Sequence, residues 1–245
     1  MRIHYGFDDV ATIEAPAATL GSFDGVHGGH RMLLDAVKRL AAQVGGRSVV
    51  MTFEPHPRIA LGMDEGLALL TTVEEKAMLL ERAGIDAMIV VPFDHRFSNQ
   101  SHEEFIRNCM IGKLHIRGLA VGYNHRFGRD NEGNFDTLSP LAARFGFVLH
   151  RVEQYTDDST KVSSTVIRRL IEEGDMAQAA RLLTHPYIIK GMARNGRVDI
   201  TDRYKLLPPS GRYAAVVGGQ EMNVVVDGRS LLVDIEDREV IIELI

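Results

Sequence analysis

Along residues 15–183, short apolar runs alternate with segments whose apolar residues recur every three or four positions, the pattern of strands alternating with helices. The alternation begins at Ala15. A run through Leu20 enters Gly21-Ser22-Phe23-Asp24-Gly25, and then Leu33, Val37, Leu40 and Val44 mark one helix face that stops at Gly45-Gly46. A second strand, Ser48 to Phe53, is followed by Pro55 and Pro57, whose missing N–H groups prevent a ladder from continuing. Thr72 with Glu75, and Ser101 with Glu104, have capping-box spacing, so each predicts a helix start. Ala87–Val91, Leu119–Tyr123 and Phe147–Val152 read as buried parallel strands. Regular βα alternation predicts a doubly wound parallel sheet, with ligands beyond the carboxyl ends of its strands. The loops after Leu20, Phe53 and Gly122 are therefore the suspect positions.

The pattern changes after a helix around Asp175 to Leu183. From His185-Pro186 onward no segment has helical periodicity. Gly218-Gly219 and Asp227-Gly228 separate Tyr213–Val217, Met222–Val226 and Leu231–Ile235, the signature of tight-turned antiparallel strands. The expected organisation is an α/β domain over residues 1–185 and a small antiparallel all-β domain over 186–245. Whether that β module closes as a barrel, pairs with another subunit or packs on the α/β domain is open at this level. Exposed edges in so small a sheet would need covering, which makes the module a candidate surface for oligomer formation.

Composition narrows the function classes. The formal charge of −5, with both signs interspersed, provides no basic face for a polyanion, so nucleic-acid binding is not expected. One cysteine, Cys109, excludes an internal disulfide framework and a thiolate metal cage; inside a predicted helix beside Met110 it reads as a small buried residue. Met1 to Asp9 lack a basic segment followed by an apolar run, and no 18 apolar residues are consecutive. Neither secretion nor a membrane span is predicted, and the expected location is cytoplasmic. The remaining histidines, among them His95, His102, His115, His150 and His185, show no metal-ligand spacing.

The densest chemistry lies where the first strand meets its helix, in Gly21-Ser-Phe-Asp-Gly-Val-His27-Gly-Gly-His30. Small residues let a ligand approach the backbone, the helix start offers N–H groups to phosphate, and two imidazoles three residues apart can donate to phosphoryl oxygens. A second cluster, Lys161-Val-Ser163-Ser164-Thr165-Val-Ile-Arg168, opens another helix with capping hydroxyls and a guanidinium able to fork onto phosphate oxygens. The first string resembles the nucleotide-binding signature of the H-x-G-H nucleotidylyltransferase superfamily, and the second resembles that superfamily's other signature. Two further segments, Thr52-Phe53-Glu54-Pro55-His56-Pro57 and Val121-Gly-Tyr-Asn124-His-Arg-Phe127-Gly128, complete a combination that resembles the adenylyltransferase module of bacterial FAD synthetases. That family usually fuses the module to a riboflavin kinase, and the resemblance covers about residues 14 to 185.

The resemblance implies ATP and FMN as substrates, Mg²⁺ carried with ATP, FAD as product, and no resident metal. It places His27, His30, Ser164 and Arg168 in catalysis; Gly21, Phe23, Gly25, Gly29, Ser163 and Thr165 around ATP; and Pro55, His56, Asn124 and Phe127 near the flavin. Phe127 as core, and Pro55 as a strand terminator, are the plain alternatives. Pro186-Tyr-Ile-Ile-Lys-Gly191-Met-Ala-Arg-Asn-Gly196-Arg197 is similar to the beginning of the family's kinase barrel, and Pro209-Ser-Gly211-Arg-Tyr213-Ala to a later strand. The Pro-Thr-Ala-Asn segment that holds metal and ATP in that barrel does not occur between them. The expectation is therefore an FMN adenylyltransferase without riboflavin kinase activity. A nucleotidylyltransferase for another phosphorylated acceptor, or a non-catalytic flavin-nucleotide-binding paralogue, are the alternatives.

Overall fold

The computed structural model describes residues 1–153, 155–157 and 160–245; the side chains of residues 156, 157, 160 and 161, including Lys161 of the second motif, lie outside that description. The chain divides into two compact units. One comprises residues 1–23, 29–65 and 79–155; the other comprises 24–28, 66–78 and 156–245.

In the first unit, β1 (Arg2–Tyr5), β2 (Ala17–Leu20), β3 (Ser48–Glu54), β4 (Ala87–Pro92), β5 (Gly118–Gly122) and β6 (Val148–Val152) form a six-stranded sheet ordered β1-β4-β3-β2-β5-β6. Every pairing in it is parallel. The chain winds outward from β2 through β3 to β4 and then returns to the other side of β2 as β5. The switch point of the winding, where the ends of neighbouring strands leave a crevice for ligands, therefore lies at β2 and β5. The helix Gly28–Val44 follows β2. It reaches the sheet closely enough that a Cβ on Gly118 would meet Leu40 Cδ2 at 2.7 Å.

The central strands are buried along nearly their whole length, as continuous apolar runs predict for a parallel sheet covered on both faces. Two edges depart from the sequence reading. The alternation starts one strand earlier than Ala15, at β1, where the single buried residue is a histidine, His4, whose Nδ1 lies 2.8 Å from Asp9 Oδ1. With no buried apolar residue of its own, β1 carries no periodic signal. β6, expected to be a buried strand, is the opposite edge and leaves Val148, His150 and Arg151 exposed.

Both predicted capping boxes form. Thr72 and Glu75 exchange bonds of 2.9 and 3.2 Å ahead of the helix Val73–Arg82. Ser101 and Glu104 do the same ahead of His102–Phe105, which continues as a π-helical turn through Ile111. Cys109 lies buried in that turn, and burial pushes its thiol above the ordinary range, against the opposing pull of Lys113. This matches the reading of a small core residue.

In the second unit a two-stranded hairpin, β7 (Thr156–Asp157) and β8 (Thr160–Lys161), precedes the helices Ser164–Glu172 and Met176–Leu183. The tail then forms β9 (Tyr187–Arg194), β10 (Arg197–Asp199), β11 (Gly211–Val217), β12 (Gln220–Asp227), β13 (Ser230–Leu232) and β14 (Arg238–Leu244). These six strands close into an antiparallel barrel in the order β10-β13-β12-β11-β14-β9. Closure settles the question left by the sequence, because a closed sheet has no open edge to cover. The expected strand Leu231–Ile235 is shorter, ending at Leu232. Gly218 and Gly219, at φ of 59° and 86°, make the β11–β12 turn that the glycine pair predicted. Ile189, Ala193, Val198, Ala215, Val224 and Ile242 are fully buried and fill the barrel.

Candidate nucleotide site

The glycine-rich motif is shared between the units, Gly21–Phe23 and Gly29–His30 belonging to the first and Asp24–Gly28 to the second. In the first unit, β2 hands over to the loop through Gly21 N–H, which donates to the Met51 carbonyl at 3.1 Å, and Thr52 Oγ1 donates to the Ser22 carbonyl at 3.2 Å. Phe23 is buried, and its ring centroid lies 5.0 Å from that of half-buried His30 in the first turn of its helix. This packing holds the imidazole near the helix start, whose N–H groups lack intrahelical partners.

The second unit gathers His27, Ser164 and Arg168 around a residue the sequence reading left without a role, Asp24. Asp24 Oδ1 accepts the backbone N–H groups of Leu70 and Thr71 at 2.8 and 3.0 Å, and Oδ2 accepts Arg168 Nη2 at 2.7 Å. Its carbonyl accepts Ser164 Oγ at 3.0 Å. The carboxylate is 3% exposed and the Arg168 side chain 22%, so the ion pair is shielded on one side and open on the other. The Nε of Arg168 is enclosed and has no hydrogen-bond partner among the described residues. A buried guanidinium with an unmade bond is costly in the absence of an acceptor, and anion oxygens are the acceptors it takes best.

Gly25 closes the same corner. Its φ is +81°, and a Cβ there would meet Leu70 Cδ1 at 2.6 Å, so a side chain is excluded both by conformation and by space. Its N–H donates to Thr71 Oγ1 at 3.1 Å. His185 places Nε2 3.0 Å from the Gly25 carbonyl and Nδ1 2.7 Å from that of Pro186. His185, which showed no metal-ligand spacing in the sequence, is thus hydrogen-bonded to the motif itself.

His27 is buried, and burial pulls its pKa down from 6.5 to about 4; Asp24 opposes this, while Arg168 and His185 add to it. At neutral pH His27 is therefore an uncharged imidazole, a hydrogen-bond donor rather than a cation. Ser163 caps the Ser164–Glu172 helix by accepting Val166 N–H at 3.4 Å, and Thr165 is exposed on its first turn. Helix start, guanidinium, hydroxyl and neutral imidazole form a donor set around one carboxylate whose own oxygens are already engaged. Such a set can bind an anion without a strong base.

The residues expected near a flavin lie in the first unit, at the ends of β3 and β5. Pro55 is exposed and follows a cis peptide bond from Glu54. His56 is half-buried, and its Nδ1 accepts Arg58 N–H at 3.3 Å. Asn124 is exposed, whereas Phe127 is buried at 8% in the core, 5.8 Å from the ring centroids of Phe105 and His125. Burial lowers the pKa of His125 to about 4. A run of rings not singled out from sequence continues from there: Phe97 lies 5.8 Å from Phe105, and Phe53 and Phe93 lie 5.9 and 5.5 Å from Phe97. Phe53 and Phe97 are only partly buried where they pack against the core.

Comparison with known proteins decides the family. Residues 10–166 match the model of the FAD synthetase domain. The chain belongs to the FAD synthetase family. The bifunctional riboflavin kinase/FMN adenylyltransferase of Listeria monocytogenes is 37% identical over 179 residues, covering 72% of this chain and 56% of that protein. The protein of the same description from Escherichia coli is 32% identical over 216 residues, covering 84% of this chain and 69% of that protein. The chain thus spans little more than half the length of the Listeria relative. A crystal structure of a macrolide-efflux protein from Streptococcus pneumoniae superposes with a TM-score of 0.82 at 22% identity, covering 100% of this chain and 90% of that one, and shares the fold of this family member. Among the described residues no helix is long and apolar enough to cross a membrane.

Proposed function

We propose that this family member is an FMN adenylyltransferase, transferring AMP from ATP to FMN with release of pyrophosphate and formation of FAD. The observation that carries the reading is the enclosed Arg168 Nε–H, held without a partner on a guanidinium that Asp24 fixes. An anion-binding arginine of this kind is what a leaving pyrophosphate requires.

FMN supplies its own nucleophile, because a phosphate monoester with a second pKa of about 6 is mostly dianionic at neutral pH. One of its oxygens attacks the α-phosphorus of ATP in line; that P–O bond forms as the bond from the α-phosphorus to the bridging oxygen breaks, and the pair of electrons leaves with pyrophosphate. No proton need be removed, so a neutral His27 suits the task. His27 and His30 donate to the phosphoryl oxygens as charge develops, and Arg168 with Ser164 holds the departing pyrophosphate. Mg²⁺ enters as part of the ATP substrate. Both oxygens of Asp24, the carboxylate at the centre, are engaged by protein donors, which fits an ion carried chiefly by phosphate oxygens and water.

Residues 1–185 are read as the adenylyltransferase and 186–245 as an abbreviated kinase-like module without riboflavin kinase activity, since no Pro-Thr-Ala-Asn segment occurs in it. Pyrophosphate release measured with a panel of acceptors tests the reading. FMN is expected to drive release, and nicotinamide mononucleotide, phosphopantetheine and riboflavin are not. Release with another acceptor alone would assign a different specificity, and flavin binding without turnover would make the chain a carrier. Conversion of riboflavin to FMN at enzyme-like turnover would overturn the kinase assignment.

A further inference from the structure

The second unit holds another buried ion pair, and nothing in AMP transfer uses it directly. Lys205 and Glu75 meet at 2.7 Å with side chains each 1% exposed. Lys205 sits in the segment between β10 and β11. Its ammonium donates to Glu75 Oε2 at 2.7 Å, the Leu70 carbonyl at 2.7 Å and the Ile188 carbonyl at 2.8 Å, so all three of its protons are used. Glu75 accepts Thr72 N–H through Oε2 and Lys190 N–H of β9, at 2.8 Å, through Oε1. Leu69 N–H donates to the Tyr204 carbonyl and Leu206 N–H to the Leu69 carbonyl, at 2.7 and 2.8 Å. Residues 69–75 are thereby tied along their length to the barrel.

Leu70 links the two ion pairs. Its carbonyl is held by Lys205 while its N–H is held by Asp24 Oδ1. One peptide segment thus carries the position of the barrel lysine to the carboxylate that sets Arg168 and Ser164. Stability alone does not call for such a pair, since a packed apolar pair of similar volume commonly serves a core as well or better than buried charges. A lysine at this point does what an apolar side chain cannot: it fixes two carbonyls and a carboxylate at one place.

We propose that Lys205, paired with Glu75, is a positioning residue for the Asp24–Arg168 grip on ATP phosphates, so that the barrel works as a brace for AMP transfer. The inference rests on the adenylyltransferase reading. It predicts that the pair sets the handling of ATP and leaves that of the flavin alone.

The test is FAD formation by the full chain and by the double variant Glu75→Gln with Lys205→Met, which removes both charges together. The expected result is at least a tenfold loss in kcat/KM for ATP with the KM for FMN within twofold of wild type. The surface variant Glu239→Gln, which removes only the exposed carboxylate beside Lys190, is expected to be unchanged. A folded double variant with kcat/KM for ATP within twofold of wild type would overturn the proposal. A measurement on the unaltered protein guards against a variant that fails to fold: because coupling is reciprocal, saturating MgATP must slow amide hydrogen exchange at Leu70, Thr71 and Lys190. Unchanged exchange at Lys190 in an ATP-saturated, FAD-forming chain would overturn the brace alone. A wild-type chain that forms no FAD would instead remove the reading beneath it, and the brace with it.

Discussion

Asp24–Arg168 and Glu75–Lys205 are both carboxylate–cation pairs at 2.7 Å in the same compact unit, and they differ in what remains unsatisfied. In the Glu75–Lys205 pair every ammonium proton has an acceptor, and neither side chain reaches solvent. In the Asp24–Arg168 pair the carboxylate is saturated, while the guanidinium keeps an enclosed donor without a partner and a partly open side. Completed bonding suits a group that holds position; the unmade bond suits the anion-binding role proposed for Arg168. Burial and charge alone would have ranked the lysine pair as the more suggestive of the two.

Single substitutions separate the two pairs most strongly. Lys205→Met leaves Glu75 buried and charged without its cation, and is expected to cost about 3–5 kcal/mol in urea unfolding. Arg168→Met should cost less, because Asp24 retains the Leu70 and Thr71 donors. Equal losses would show that the two pairs play the same role.

His30→Ala is expected to slow FAD formation by about 100- to 1,000-fold while leaving stability near wild type, as removal of one oxyanion donor does elsewhere. Activity within a few-fold of wild type would remove His30 from the chemistry.

The pH dependence of stability sharpens the same contrast. His27 titrates at about 4 in the fold against 6.5 for an unperturbed imidazole, so the unfolded chain takes up its proton first. Stability is therefore complete above pH 6.5 and is lost as pH falls from there towards 4, by about 3 kcal/mol across the window. His125 moves in the same direction. Urea unfolding at pH 7 and pH 5, compared between wild type and His27→Gln, should show a shallower fall in the variant; parallel falls would mean that His27 is not buried as a neutral ring.

The smallest effect is assigned to Cys109. Cys109→Ala removes one sulfur from the core, is expected to cost about 1 kcal/mol, and should leave FAD formation unchanged. A loss of turnover would give the thiol a chemical part.

Much of the sheet was legible because its inner strands are unbroken apolar runs, and the capping boxes were legible because their logic is contained within four residues. β1 was not, because its only buried side chain is His4, a polar residue that fits through its link to Asp9. The two motifs pointed to His27, His30, Ser164 and Arg168, yet not to Asp24, which holds Ser164 and Arg168. Asp24 stood inside the first motif. A carboxylate in a loop proposed to bind phosphate is electrostatically misplaced unless a cation accompanies it, and that contradiction was the available signal. Its partners lie up to 144 residues away, beyond any local pattern. Glu75 announced its cap, but its second use depends on Lys205, 130 residues along the chain.

AMP transfer supported by the Asp24–Arg168 pair is tested by chromatography of FMN incubated with MgATP and the purified chain, beside the Arg168→Met variant. FAD and pyrophosphate are expected in equal amounts from the wild-type chain, and a rate at least about 100-fold lower from the folded variant. No FAD from the wild type, or equal rates from the two, would contradict it.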